Sequence, residues 1–226
     1  MSTTIQKSTL QFLSDLAAHN TREWFNENKK RYEAARHNFT DFLYELLLEV
    51  QQFEPAARGQ KGKDTIFRIY RDVRFSNDKR PYKDHFGAYI ADGGRKSIYP
   101  GYYVHLAGGN KSFVAGGLWM PPAEQLEAVR QEIDYNLDGF REIVEAPAFR
   151  ERFGELQGEQ LKTTPKGYDR ENPAIHYLRY KSWNALMPLP DAAVLQDNFM
   201  QAVVEAMLAL KPLNDFLLQP MLDIGE

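Results

Sequence analysis

Apolar positions recur along this chain at two periods. Near the start, Leu10, Leu13 and Leu16 follow a helical spacing, with Phe12 beside them. Ser8 followed by Gln11 reads as a capping box opening that helix, and His19-Asn20 closes it. Thr21 is expected to cap a second, long helix whose first turn carries Glu23, favourable at the positive end of the dipole. Its apolar positions, Trp24, Tyr32, Ala35, Phe39, Phe42, Leu46, Val50 and Phe53, track a period near 3.6, with Asn28 as a polar exception. The period then changes. Residues 65–75, 86–91, 98–107 and 112–119 read as strands, separated by turns at Ser76-Asn77-Asp78, Asp92-Gly93-Gly94 and Gly108-Gly109-Asn110. Pro121-Pro122 opens another helix, with a buried stripe of Leu126, Val129, Ile133, Leu137, Phe140 and Val144. A short helix after Pro147 carries Phe149 and Phe153. The Leu-Arg-Tyr-Lys run at 178–181 is expected to return a strand to the sheet. Asp191 is expected to cap a final helix that Pro212 ends or kinks.

Short connections between consecutive strands favour antiparallel pairing. The order of elements therefore predicts an α+β fold: a central, mainly antiparallel sheet with N-terminal and C-terminal helices packed on it. A chain of 226 residues suits one domain with one core, so a single domain over 1–226 is expected, with 1–7 flexible. The 43% hydrophobic and 26% charged residues place the chain among globular proteins rather than disordered ones. No apolar run approaches a bilayer span, and the first residues lack a signal-peptide core, so the cytoplasm is the expected compartment and no membrane partner is expected. With no Cys there is neither a disulfide framework nor a thiolate nucleophile.

Charge changes the picture. The net value is only −3, but from Arg58 to Lys111 there are 12 Lys/Arg against 5 Asp/Glu. Arg68, Arg71, Arg74, Lys79, Arg80 and Lys83 crowd one segment. Cations that dense repel one another unless something negative lies among them, either Asp72, Asp78 and Asp84 or an anionic ligand. Strand alternation would put Phe67, Ile69, Arg71, Val73 and Phe75 on one face and Arg68, Tyr70, Asp72 and Arg74 on the other. A buried Arg71 demands a carboxylate, which could come from the N-terminal helices, or else forms the floor of an anion site. Asp72 could orient one arginine and leave the other free. Lys79, Tyr82, Lys83 and His85 would rise beside Arg68 and Arg74 if the hairpin closes.

Two further stretches stand out. Paired glycines at Gly116-Gly117 suggest a bulge or a close backbone approach, with Trp119 either plugging the core or stacking on a planar group. Lys162, Lys166 and Tyr168 add cations and a hydroxyl on a loop. The pattern Arg68-x-x-Arg71-Asp72-x-Arg74-Phe75-x-x-x-Lys79-x-x-Tyr82 resembles the signature of the bacterial and fungal family called domain of unknown function 2461. Trp24-Phe25-x-x-Asn28-Lys29, Gly116-Gly117-x-Trp119-x-Pro121 and Leu161-Lys162-x-x-Pro165-x-Gly167-Tyr168 extend the resemblance over nearly the whole chain. The resemblance implies one full-length domain with these residues at its site, and supplies no reaction.

Several chemistries lack their signatures. The five His residues show no metal-type spacing, there is no glycine-rich phosphate loop, and Ser76 has no nucleophile-elbow context. Neither a metal nor another cofactor is therefore expected. The leading expectation is binding of an anionic, phosphate-bearing small ligand in a cationic, Tyr-rich cleft by Arg68, Tyr70, Arg71, Arg74, Lys79, Tyr82, Lys83, Lys162 and Tyr168. His85, His105 and Asp72 are the proton-transfer candidates if chemistry occurs. A single-strand nucleic-acid module, with cations interleaved among tyrosines, is an alternative that a pI near 6.0 disfavours. A structural or interaction protein whose arginines are paired internally is the other.

Overall fold

The computed structural model describes residues 3–222. Its elements run α1 (Lys7–Ala18), α2 (Arg22–Glu27), α3 (Lys29–Val50), α4 (Gly62–Thr65), β1 (His85–Ile90), β2 (Gly101–Ala107), β3 (Ser112–Leu118), α5 (Ala123–Tyr135), α6 (Leu137–Val144), α7 (Pro147–Phe153), α8 (Ile175–Leu178), β4 (Trp183–Leu189), α9 (Asp191–Val194) and α10 (Phe199–Leu222). The four strands form one sheet in the order β1-β2-β3-β4, antiparallel throughout, with helices before and after it. The fold is α+β, as the pattern predicts. No helix among the described residues is long and apolar enough to cross a membrane.

Two compact units divide the chain. Unit 1 takes Met1–Arg95, Tyr103–Val114 and Pro188–Glu205, and unit 2 takes Lys96–Tyr102, Ala115–Met187 and Ala206–Glu226.

In unit 1, α1 buries Leu10, Phe12, Leu13 and Leu16, and α3 buries Phe39, Phe42, Leu43 and Leu46. Ser8 does not cap α1. The helix begins earlier, at Lys7 after Gln6, and its start is fastened from outside. The buried Asn38 side chain accepts from the Gln6 backbone N–H at 2.9 Å and from the Thr9 hydroxyl at 2.8 Å, and donates to the Thr4 carbonyl at 2.8 Å. Ile5 is buried as well. Where flexibility was expected over 1–7, residues 3–7 are thus tied to α3; Met1 and Ser2 lie outside the described residues. Thr21 does cap α2, accepting from the Trp24 backbone N–H. The long helix expected after it is two helices, broken at Asn28, whose amide donates to the Trp24 carbonyl at 2.9 Å and competes with the helical ladder.

The expected strand at 65–75 is not one. It touches its partner only at the bridges Ile66↔Ala88 and Tyr70↔Tyr82. Its ladder stops at Pro81, whose carbonyl accepts from Arg71 at 2.9 Å but which has no N–H to return. Beyond that point Asp72, Ser76 and Asp78 each accept from the backbone N–H two residues on, so local turns replace cross-strand bonds. Phe75, placed on the inward face by strand alternation, is 97% exposed. Asp191 opens the short α9 rather than capping the last long helix. Its carboxylate receives the Gly109 and Asn110 backbone N–H groups, both at 2.9 Å, and so closes the β2–β3 turn.

Unit 2 buries Trp183, Val129, Ile133, Phe140, Leu178, Leu210, Leu213 and Leu217. The returning strand starts at Trp183, after the expected 178–181 run, which is occupied by the end of α8 and the turn after it. Pro212 and Pro220 lie inside α10 and do not end it. An interior proline costs about 3 kcal/mol, and burial of Leu210, Leu213 and Leu217 offsets a loss of that size. Trp119, for which the core was one option, is 69% exposed, and Trp183 takes the core instead.

Candidate functional site

Antiparallel pleating gives the unit 1 part of the sheet two unlike faces. One carries Phe86, Ala88, Ile90, Val104, Leu106 and Val114, all buried. The other carries His85 and Gly87 from β1, Tyr103 and His105 from β2, and Phe113 from β3; apart from the buried Gly87 they are half-buried. Their rings form a continuous stack. His85 and His105 lie 4.0 Å apart between centroids at 28°, and His105 and Phe113 lie 4.4 Å apart at 10°. Gly87 makes room: a Cβ there would fall 2.4 Å from the Tyr103 hydroxyl oxygen. That hydroxyl lies 3.3 Å from His105 Nδ1. Asp84, just before the strand, places Oδ1 3.2 Å from His85 Nδ1.

Burial sets the charge state of this face. It lowers the pKa of His85, against the pull of Asp84, and it lowers that of His105 to about 3, helped by the charges of His85 and Lys83. Burial also pushes the Tyr103 hydroxyl up to about 12. Two imidazolium rings 4.0 Å apart would repel by about 4 kcal/mol at an effective dielectric near 20, so the stack holds in its neutral form. Above pH 6.5 both folded and unfolded chains keep these rings neutral. As pH falls below 6.5 the unfolded chain takes up protons that the folded one resists, and stability is lost down toward the folded values. Urea titrations at pH 7 and pH 4 should show His105→Phe losing less stability than wild type between the two, by on the order of 1–3 kcal/mol. Equal losses would show that His105 is not held neutral.

Five of the six cations of the 68–83 segment fall into two groups, with Lys79 apart. Arg71, Arg74 and Arg80 are paired within the hairpin. Arg74 forks onto Asp72 at 3.0 and 2.7 Å. Asp78 takes Arg71 at 2.7 Å and Arg80 at 2.8 Å, and Arg80 also lies 3.6 Å from Asp84. Arg71 is 24% exposed, and its partner comes from its own hairpin rather than from the N-terminal helices. These hydrogen bonds hold the Asp72 and Asp78 carboxyls below the usual range, Arg74 being the main cause for one and Arg80 for the other. Asp72 is thus an ionised, engaged carboxylate, poorly suited to accept a proton. Lys79 donates to the Val73 carbonyl at 3.1 Å.

Arg68 and Lys83 form the second group. Neither has a carboxylate at ion-pair distance among the described residues, although the charge of Arg68 reaches Asp72 and helps to lower its carboxyl. The Lys83 ammonium sits 5.0 Å from the Phe67 ring centroid. Burial lowers its pKa, and the charge of Arg68 lowers it further. Lys83 in turn depresses both histidines, so the cation lies within electrostatic reach of the ring stack.

Among the other expected site residues, Tyr70 is half exposed, whereas Tyr82 is only 5% exposed. The Tyr82 ring stacks on Phe25 at 3.9 Å, and its backbone N–H and carbonyl are both taken by the Asn20 side chain. It was expected to offer a hydroxyl to a ligand, and it lies in the core. Lys162 and Tyr168 belong to unit 2. There the Lys162 carbonyl accepts from Arg179 at 3.0 Å, and the Tyr168 hydroxyl is pushed up by burial and then by Asp134. Arg130, close enough to Tyr168 to counter that shift, donates to the Leu178 and Tyr180 carbonyls at 2.8 and 3.1 Å. Among the described residues no three His, Asp or Glu side chains gather closely enough to hold a metal ion.

Sequence reasoning named both histidines, counted Tyr103 only among the tyrosines of the nucleic-acid alternative, and missed Phe113 and the tie from Asp84 to His85. Alternation in the strand Gly101–Ala107 was the available signal, because it puts Tyr103 and His105 on one face. A sequence model of the family described as "Conserved hypothetical protein (DUF2461)" matches residues 8–216. No curated protein and no solved structure matches the chain.

Proposed function

The chain belongs to the family of conserved hypothetical proteins designated DUF2461, and from that premise we propose that unit 1 binds an anionic, phosphate-bearing small molecule at Arg68 and Lys83, beside the histidine-bearing sheet face. One observation carries this reading. Arg71, Arg74 and Arg80 are ion-paired with aspartates and Lys79 is turned onto the Val73 carbonyl, while Arg68 and Lys83 have no carboxylate at ion-pair distance, Arg68 feeling Asp72 only through space and its charge disfavouring that of Lys83. A phosphate between them would relieve that repulsion and accept charge-assisted hydrogen bonds from both. Tyr70, half exposed, supplies a further hydroxyl donor. Arg71 and Arg74 act as braces that shape the hairpin, and the exposed Arg74–Asp72 pair adds little stability.

Thermal unfolding with inorganic phosphate, pyrophosphate and sugar phosphates tests the reading. An anion at about 100 times its Kd adds about 2.7 kcal/mol, a rise of roughly 5 °C or more for a chain of this size. Arg68→Ala combined with Lys83→Ala should abolish the rise, and Arg74→Ala should keep most of it. A rise that survives the double substitution, or no rise with any of these anions, overturns the assignment.

A single-stranded nucleic acid is a second reading, favoured by Phe75. Its ring stands in solvent with the Arg74 guanidinium 5.8 Å from the centroid, the pairing of stacking surface and cation that single strands use. An oligonucleotide in the same thermal assay separates the two, because only this reading makes stabilisation depend on Phe75.

A further inference from the structure

The half-buried sheet face holds a chemically organised group that anion binding alone does not require. Asp84 and His85 are joined at 3.2 Å, His85 stacks on His105, and Tyr103 reaches His105 at 3.3 Å. We infer that His85 is the proton acceptor of a hydrolytic site for phosphodiesters, acting on a diester whose phosphate is held by Arg68 and Lys83. This rests on the anion site proposed above.

The tautomer of His85 follows from its neighbour. Asp84 is ionised, its carboxyl held low in part by His85 and Arg80, and an ionised carboxylate only accepts hydrogen bonds. His85 Nδ1 therefore carries the proton, and Nε2 is left with a free lone pair. The side chain is 23% exposed, so water can reach the ring. His105 is the lesser candidate because its ring is sandwiched between His85 and Phe113 and its Nδ1 already faces the Tyr103 hydroxyl. It acts as a positioning residue that fixes the plane of His85.

The ester class follows from what a base can contribute. Transfer from a phosphate monoester passes through a loose transition state in which the attacking oxygen has formed little bond, so a proton acceptor for that oxygen helps little. A diester demands more bond formation from the nucleophile, and there a positioned base helps. The step balances with water alone. As the water oxygen bonds to phosphorus, its proton passes to His85 Nε2 and the bond from phosphorus to the leaving oxygen breaks. That oxygen departs with the electron pair. A poor leaving group is then protonated by His85, which returns to its neutral form. The products are a monoester and an alcohol.

Hydrolysis of bis(p-nitrophenyl) phosphate by the full chain, followed as nitrophenolate release, tests the inference alongside the phosphate thermal shift. Wild type is expected to release nitrophenolate above the buffer rate. His85→Gln is expected to lose about 10²-fold or more while keeping the phosphate shift. The groups facing His85 are Asp84, Lys83, His105 and, through Asp84, Arg80. Asp84→Asn should slow the reaction and move the acid limb of the rate to lower pH, because removing the carboxylate weakens the hold of the imidazole on a proton. No release by wild type that still binds phosphate overturns the hydrolytic role and leaves the anion site standing. Full activity in His85→Gln also overturns it, and so does a wild-type rate that shows no acid limb down to the pH at which the fold is lost. Loss of the phosphate shift from wild type itself removes the anion site instead.

Discussion

Replacing Gly117 with valine is expected to leave little folded protein. At φ +122, Gly117 lies in a region that side-chain-bearing residues rarely enter. A Cβ there would fall 2.0 Å from the Trp183 carbonyl oxygen and 2.8 Å from the Asn184 Cα. Both are backbone atoms of the adjoining strand, so no rotamer change relieves the clash. Trp183 itself is fully buried, with its indole N–H on the Tyr177 carbonyl at 3.0 Å, so moving its backbone disturbs the largest fully buried side chain of unit 2. Losses above about 4–5 kcal/mol are exceptional for single substitutions, and this one belongs among them, set against total stabilities of about 5–15 kcal/mol. Gly167→Ala is the control. Gly167 has φ +91 with nothing within 4 Å, so only backbone strain of about 1–2 kcal/mol is expected. Circular dichroism and urea unfolding check both. A Gly117→Val protein as stable as Gly167→Ala would mean that the two strands do not approach this closely.

Tyr82→Ala is expected to cost about 3–4 kcal/mol, and Tyr82→Phe about 1 kcal/mol or less. The ring stacks on Phe25 at 13° and 3.9 Å and tilts against Tyr70 at 5.4 Å. Deleting it opens a cavity where the N-terminal helices meet the hairpin that carries the cations. The hydroxyl has no part in that packing. The same pair of variants separates packing from ligand contact: if Tyr82→Phe remains stable but loses the phosphate shift, Tyr82 belongs to the site after all.

Some of this molecule was legible in the residues alone. The stripe from Phe39 to Val50 has one face to bury whatever lies against it, and the Thr21 cap and Pro121-Pro122 helix start depend on their immediate neighbours. The paired glycines announced a close approach, and Gly117 makes one. Other features failed for one recurring reason. The 65–75 run has strand residues, but Pro81 across from it cannot donate and Asp72 and Asp78 turn their carboxylates onto their own backbone. Ser8 suits a cap, but Asn38, some thirty residues away, makes an earlier helix start better satisfied.

The candidate site divides along the same line. That Arg68 through Lys83 concentrate positive charge was plain from composition, and charge density is a local property. Which of those charges are spent was not, because Asp72 and Asp78 could have faced any of several arginines until the turn geometry chose Arg74, Arg71 and Arg80. His85 and His105 are twenty residues apart, and only the register of β1 against β2 stacks one ring on the other. Periods and caps rest on interactions within a few residues, so order along the chain is enough to reveal them. Ion-pair choice and ring stacking depend on distances across the fold, which are set only when the strands have paired and water has been excluded from between them.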